Sequence, residues 1–201
     1  TIIGYNAGTS ITTGGSHVAI GRHALKTVTT VTDCVAVGMH ALEANTVSAT
    51  TAIGSYSLYK NTTGTGNTGV GYTTLEENTT GSDNTAVGSD ALDANTTGAN
   101  NTAVGQQALS ANTTANDNTA VGKNSMLINT EGYSNTAIGI YSLRQNTTGD
   151  SNVAVGQSAL LNNTTANENV AVGYNSAYNN TTGARIIALG TYAYENSDTE
   201  N

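Results

Sequence analysis

The sequence contains no phenylalanine, no tryptophan and no proline, and charged residues make up only 10% of its 201 positions. A chain of this length that is rich in glycine and asparagine cannot build a wide aromatic core without these large rings. The interior of the protein must therefore be narrow.

Cysteine and positive charge are also scarce. Cys34 is the single cysteine, which excludes an internal disulfide framework and a cysteine-built zinc site within one chain. Six Lys and Arg residues stand against fourteen Asp and Glu residues, and the net charge of -8 argues against binding to nucleic acid or to an anionic membrane surface. No apolar run approaches about 18 residues, so direct membrane insertion is not expected.

What the sequence has in abundance is a glycine repeated at a fixed interval. The steps are 17 residues long, with a single step of 16 between Gly38 and Gly54. The twelve glycines are Gly4, Gly21, Gly38, Gly54, Gly71, Gly88, Gly105, Gly122, Gly139, Gly156, Gly173 and Gly190. The text around each is close to N-T-A-V-G-x-x-A-L-x-x-N-T-T-G-x-x. A short fixed period predicts a solenoid in which each turn, here called a rung, contacts only its neighbours.

The composition of the repeat favours β-structure over helices. β-Branched triplets such as Thr102-Ala103-Val104 end at the repeat glycine and predict a short strand, and the following pair, such as Ala108-Leu109, predicts a second one. Alternate side chains of a strand face opposite ways, so the small alanine suits a thin interior while the opposite face, also apolar, needs a cover. Identical chains packed around a shared axis would supply it. Twelve rungs would form a rod about 57 Å long.

The Asn-Thr-Thr triplets predict a recurring corner. Asparagine tolerates left-handed conformations and bonds to its own backbone, and stacking would place Asn above Asn in ladders along the axis. The same triplets match the acceptor pattern for N-glycosylation. The triplets begin at Asn61, Asn78, Asn95, Asn112, Asn146, Asn163 and Asn180.

The repeat also resembles known surface fibres. Strings such as Val18-Ala19-Ile20-Gly21 resemble the head repeats of YadA-type trimeric autotransporter adhesins, and the longer phrase at residues 84–98 looks like the repeat arrays of phage-type tail fibres. The resemblance implies a homotrimer of left-handed parallel β-rolls displayed on a cell or virion surface. The expected fold is therefore an all-β, left-handed parallel β-roll or β-solenoid of twelve rungs. The adhesin heads repeat at a shorter pitch, and no coiled-coil stalk or anchor barrel is visible.

The repeat is less regular at the two ends. Residues 1–50 lack the regular corner and are expected to be degenerate rungs that form a cap or junction, residues 51–183 form the regular array, and residues 184–201 form an atypical last rung. The abrupt start and end suggest a piece of a longer polypeptide.

These features predict an extracellular structural or adhesive fibre segment that extends and presents an attachment surface, with a host-surface glycan or protein receptor as partner. One alternative is an adhesin head that binds glycan through its lateral Tyr, Asn and Thr side chains. Another is an ice-binding solenoid, because regular threonine rows can order water. No enzymatic activity and no cofactor are expected.

Tyrosines are the candidate glycan contacts. Tyr72 and Tyr174 follow the repeat glycine directly, while Tyr56 and Tyr141 follow one place later. Exposed tyrosine rings on a rigid rod could stack against sugars. They could equally fill contacts between chains, which is the interpretation we favour.

Three weaker motifs concern metals and nucleotides. His23 and His40 occupy one position of adjacent rungs and could share a metal, although an unpartnered surface pair is the favoured interpretation. A broken acidic column could bind calcium but is expected to be solvated: Asp83, Asp117, Asp150 and Glu168. The G-x-G-x-x-G string at residues 64–69 lacks a strand-to-helix context, so it does not predict a dinucleotide site.

Overall fold

The computed structural model describes residues 1–194 and is all-β. Twelve short strands form one parallel sheet, in the order in which they occur along the chain. They are β1 (Ile2–Ile3), β2 (Val18–Ile20), β3 (Val35–Val37), β4 (Thr51–Ile53), β5 (Thr68–Val70), β6 (Thr85–Val87), β7 (Thr102–Val104), β8 (Thr119–Val121), β9 (Thr136–Ile138), β10 (Val153–Val155), β11 (Val170–Val172) and β12 (Ile187–Leu189). Equivalent repeat positions face each other across the sheet, and the chain winds as a β-solenoid of about eleven turns.

Each rung contains one strand, so the prediction of a second strand at the Ala-Leu pair is wrong. That segment is a turn, in which Gln107 and Leu109 both have a φ of 55°. Gln107 N donates to Ser89 O in the preceding rung at 2.9 Å, whereas Leu109 N donates to Ser125 O in the following rung at 3.0 Å. The left-handed residues thus let the turn hydrogen-bond to both neighbouring rungs without forming a strand.

The interior is as narrow as the composition predicts. The middle strand residue points inward, so Ala103 is fully buried while Thr102 and Val104 on either side of it are only half-buried. A column of fully buried large side chains faces these alanines, and each such burial contributes roughly 1.5–3 kcal/mol. The column consists of Leu25, Leu42, Leu58, Leu75, Leu92, Leu109, Met126, Leu143 and Leu160.

Two columns of buried asparagines complete the interior, which confirms the predicted ladders. In the first column Asn112 Nδ2 donates to Asn95 Oδ1 in the preceding rung at 3.0 Å and to the Ala115 carbonyl at 3.1 Å. In the second, Asn84 Oδ1 accepts from the Asn101 backbone N–H at 2.9 Å. The first column comprises Asn45, Asn61, Asn78, Asn95, Asn112, Asn129, Asn146, Asn163 and Asn180. The second comprises Asn67, Asn84, Asn101, Asn118, Asn135, Asn152 and Asn169.

The repeat glycine combines a positive φ with a close backbone approach. Gly105 has a φ of 136°, and a Cβ atom there would lie 2.6 Å from the carbonyl carbon of Gly122 in the next rung. Side chains other than hydrogen do not fit at this distance, which explains why the period is carried by glycine.

The division into residues 1–50, 51–183 and 184–201 stays a prediction. The sheet runs without interruption from β1 to β12 across both proposed boundaries. Residues 195–201, which include the acidic end of the chain, lie outside the described residues.

Candidate functional site

The outer face of the sheet presents an apolar stripe. The third strand position of every rung carries a branched aliphatic residue, and these side chains point away from the interior. Ile138 is 41% exposed and Val172 is 38% exposed, so these side chains are not fully covered by any part of residues 1–194. We call this set the outer stripe: Ile3, Ile20, Val37, Ile53, Val70, Val87, Val104, Val121, Ile138, Val155, Val172 and Leu189.

The four candidate tyrosines do not form one surface. Tyr56 stacks on the His40 ring at 4.9 Å and contacts Tyr59 at 5.5 Å, near the N-terminal rungs. Tyr72 is 56% exposed. Tyr141 and Tyr174, by contrast, line a common groove further along the rod. Whether any of the four contacts a glycan stays a prediction.

This tyrosine groove has a volume of about 560 Å³. The guanidinium carbon of Arg144 lies 5.6 Å from the centre of the Tyr141 ring, and Tyr174 packs edge-on against Tyr192 at 5.4 Å. Two polar atoms among its lining residues, Asn124 Oδ1 and Arg144 Nε, are buried without a hydrogen-bond partner in the described part of the chain. The groove is lined by Asn124, Tyr141, Arg144, Gln157, Ser158, Leu161, Tyr174, Asn175 and Tyr178. It therefore combines flat aromatic surface with amide and guanidinium donors.

A second cluster joins the histidines of the N-terminal rungs. His23 and His40 stack edge to face with ring centres 4.9 Å apart. Glu43 lies between them, because one carboxylate oxygen accepts from His40 Nδ1 and the other lies 3.9 Å from His23 Nδ1. The expectation of an unpartnered surface pair is wrong, since the His23 and His40 side chains are only 19% and 13% exposed and share a carboxylate.

Burial and the neighbouring polar groups shift the pKa values of Glu43 and His23. Burial alone would raise the pKa of Glu43, but hydrogen bonds from His40 and Lys26 outweigh it and hold the pKa below its ordinary value. Burial, with the nearby Lys26 charge, lowers the pKa of His23. Glu43 is thus an anion and His23 a neutral imidazole at pH 7.

Sequence reasoning missed Glu43, Arg144 and Tyr178 as members of these clusters. Glu43 was detectable, because it lies three residues after His40 and takes the same repeat position as Lys26 in the rung before. The groove was harder to find, since its residues come from four successive rungs and from repeat positions that vary freely.

The Asn-Thr-Thr corners have a structural role. Asn112 is fully buried, and its two amide hydrogens are both donated within the fold. An oligosaccharide attached to this nitrogen would require the corner to open. The corners therefore do not present their asparagines as glycosylation acceptors in the folded rod.

The remaining motifs are likewise explained by the fold. Each glycine of the G-x-G-x-x-G string meets a local demand: Gly64 lies against the Gly81 carbonyl, Gly66 has a φ of 67°, and Gly69 makes room for Ser57 Oγ. No helix follows them in the described residues. Two members of the acidic column accept hydrogen bonds from neighbouring side chains. Arg185 Nε donates to Glu168 at 2.8 Å, and Asn100 Nδ2 donates to Asp117 at 3.1 Å.

The geometry defines the class of protein as a β-solenoid repeat protein. Comparison of the chain with protein-family models, with curated proteins and with solved structures found no significant match. The resemblance to trimeric surface fibres therefore stays a prediction. Within residues 1–194, no helix is long and apolar enough to cross a membrane.

Proposed function

We propose that this chain is a segment of an extracellular fibre, in which three copies of a left-handed β-roll pack around a common axis and extend an attachment surface. The work of such a segment is mechanical. Rung-to-rung hydrogen bonds in the strands, the turns and the asparagine ladders make a thin polar chain stiff. No catalysis is required of it.

The outer stripe is the observation that carries this proposal. It is apolar in all twelve rungs, whereas exposed apolar side chains on a monomer are ordinarily scattered. A second surface packed on the outer stripe would bury Val87, Ile138 and Val172, which are 36%, 41% and 38% exposed in the single chain. Burial of apolar surface contributes about 25 cal/mol per Å², and every added rung repeats the gain.

A second copy of the same chain is the occupant that best fits the stripe. The first and third strand positions carry no charged residue, so two chains of net charge -8 can meet there without opposing charges in the contact. A copy also has the same spacing between rungs, which keeps the two stripes in register along the rod. The number of three copies and the left-handed winding rest on the family resemblance.

Light scattering on a sizing column tests the assembly. The expected mass is about three times the chain mass of 20.3 kDa. Replacing Val104 by glutamate places a charge in the stripe and should reduce the mass to that of one chain. The matched control replaces Thr114, an exposed corner residue of the same rung, by glutamate and should leave the trimer intact. A folded monomer for the unaltered chain would overturn the assembly and the fibre function built on it.

The tyrosine groove favours a second candidate function, recognition of a glycan by the side of the rod. Its aromatic faces and its Asn124 and Arg144 donors match the mixed apolar and polar surface that sugars bind. Binding to an immobilised panel of neutral and acidic oligosaccharides should be lost in Tyr141→Ala and in Tyr174→Ala. Tyr72→Ala should retain it, because Tyr72 lies outside the groove. Equal loss in all three variants would count against the groove.

Ice binding receives less support from the geometry. In most rungs only the second threonine of the corner is exposed, and in that row Thr114 and Thr148 are separated by the charged Glu131. A thermal hysteresis assay that shows no activity would remove this alternative.

A further inference from the structure

The geometry points to a divalent transition-metal site formed by His23, His40 and Glu43, with the two imidazoles binding through Nδ1. The three ligand atoms lie within 4.8 Å of one another. We call this set the histidine cluster. It is independent of the outer stripe and of the tyrosine groove, so it neither requires nor implies the proposed fibre function.

The spacing suits a small ion. Around a tetrahedral ion with bonds of about 2.1 Å, neighbouring ligand atoms lie about 3.4 Å apart. His23 Nδ1 lies 3.9 Å from the nearest Glu43 oxygen and therefore needs to approach by only a fraction of an ångström. A turn of the Glu43 carboxylate away from His40 would complete three protein ligands, leaving the fourth position for water. Two imidazoles and one carboxylate suit zinc, nickel or copper rather than calcium.

An unsatisfied atom adds a separate argument. His23 Nδ1 is buried and has no hydrogen-bond partner among residues 1–194. A buried polar atom without a partner destabilises the fold, and a metal ion would satisfy it. The equivalent atom of His40 is paired only with the same Glu43 that would become the third ligand. All three groups thus face one another.

The neighbours hold both rings in place. The His40 ring stacks on Tyr56 with only 14° between the planes, and the His23 ring lies 5.8 Å from that of Tyr5. Asn6 lies 3.5 Å from His23 Nε2, and a half-turn of its amide would let its oxygen accept from that N–H. Such outer contacts fix the orientation of metal-binding imidazoles.

Two cations compete with a metal at this cluster. Lys26 Nζ lies 3.1 Å from Glu43 Oε1, and an Arg22 nitrogen lies 3.3 Å from His40 Nε2. Both side chains reach solvent and can turn away, since the Lys26 side chain is 38% exposed and Arg22 is an exposed residue. Lys26 is therefore a competitor for Glu43, and its removal should strengthen metal binding.

Calorimetric titration of the full chain with Zn²⁺ tests this site. One ion should bind per chain, and His23→Gln, His40→Gln and Glu43→Gln should each weaken binding by about tenfold or more, at least the loss known for residues that only orient ligands. The matched control is His17→Gln, which removes the third histidine but not a ligand. Equal weakening in His17→Gln, or no binding by the unaltered chain, would overturn the proposal.

A variant that gains affinity for the metal is also needed, because a misfolded protein would not bind more tightly. Lys26→Gln should bind Zn²⁺ about threefold to fivefold more tightly, which is the upper part of the range expected on removal of an exposed ion pair. Co²⁺ alone should give the strong visible absorption of a tetrahedral complex in the unaltered chain and in Lys26→Gln, but not in His40→Gln. Unchanged affinity in Lys26→Gln would show that the ion does not bind Glu43 and would overturn the ligand set.

Discussion

The N-terminal rungs and the regular array build the same corner from different chemistry. From Asn45 to Asn180 the buried corner position is asparagine in every rung, whereas the two rungs before Asn45 have Val28 and the partly buried Ile11 there. The second asparagine column is likewise replaced, by Cys34 in the rung of Val28. The solenoid path is the same in both regions, because β2 pairs with β3 as β7 pairs with β8.

This difference shows that the backbone path does not depend on the amide ladders. Apolar side chains can fill the corner, as fully buried Val28 does, but they leave the carbonyl groups to other donors. The asparagine side chain of the array supplies two donors and one acceptor in the same volume. What is common to both regions is the buried leucine, Leu25 in one and Leu109 in the other, together with the repeat glycine.

The repeat glycine should be the most sensitive position. Gly105→Ala forces a side chain into a glycine-only conformation and onto the next rung's backbone, and we expect a loss of more than about 4 kcal/mol in the free energy of unfolding. Urea unfolding followed by circular dichroism measures it. The control is Gly15→Ala in the N-terminal rungs, where an added Cβ meets no atom within 4 Å. Similar losses in the two variants would contradict the explanation by close approach.

Breaking the amide ladder should have the next largest effect. Asn112→Val gives the array the residue of the N-terminal corner and leaves Asn95 Oδ1 and the Ala115 carbonyl without this donor. Buried groups without partners cost about 1–3 kcal/mol each, so we expect a loss of about 3 kcal/mol in urea unfolding at constant protein concentration. Thr114→Val, at an exposed position of the same rung, should change stability by less than about 0.5 kcal/mol. A neutral Asn112→Val would mean that the ladder does not stabilise the array.

The reverse substitution, Val28→Asn, should lower the free energy of unfolding by less. Val28→Asn places an amide in the apolar corner, where Ile11 offers no acceptor on one side but Asn45 offers hydrogen-bonding groups on the other. Because the new amide can form only about half of its hydrogen bonds, we expect a loss of about 1–2 kcal/mol in the free energy of unfolding. Thermal unfolding of Val28→Asn beside Val28→Ala, which only creates a cavity, separates polarity from lost volume. A more stable Val28→Asn would show that the ladder extends into the N-terminal rungs.

The smallest expected effect is a gain in stability. The repeat position that holds the Lys26 and Glu43 pair in the N-terminal rungs holds like charges, Glu76 and Asp93, in the array. Burial raises the pKa of Asp93, helped by the Asp90 charge and against a hydrogen bond from Ser110. A raised pKa favours the neutral acid in the folded state, so stability falls as pH rises through that pKa.

Asp93→Asn should therefore stabilise the fold at pH 7 by at most about 1 kcal/mol, because partial exposure screens the charge. The gain should vanish near pH 3, where the carboxyl group is protonated in both states. Urea unfolding at the two pH values measures the difference. The matched control is Asp83→Asn, which removes a carboxylate at an exposed position. A gain that persists at pH 3 would assign the effect to something other than charge.

The period made most of the fold predictable. One residue type at one spacing gave the solenoid, the inward alanine of each strand and the stacked asparagines, because each is repeated in every rung and errors at single positions average out. The Ala-Leu pair failed for a physical reason. A leucine with positive φ, such as Leu109, contradicts local preference and is tolerated because its neighbours on both sides supply hydrogen bonds.

The candidate sites were less predictable because they use positions that the repeat leaves free. The approach of His23 to His40 followed from the period, but the participation of Glu43 depended on how the turn directs its side chain. Tyr141 and Tyr174 line one groove from rungs two apart, and Arg144 lines it as well. A repeat fixes where backbones stack, whereas side-chain reach between rungs depends on rotamers.

The amide ladder also governs how such a rod can change its length. Each asparagine from Asn61 to Asn163 donates to the rung before it and accepts from the rung after it. Asn180, the last of the column, donates to Asn163 and accepts from the Gly183 N–H. A duplicated copy of residues 102–118 could donate to the rung before it and accept from the rung after it, as the rungs from Asn61 to Asn163 do. Whole 17-residue units can therefore be gained or lost in steps of about 4.8 Å without redesign of any contact. Duplication of DNA in units of 51 bases would produce proteins of graded reach.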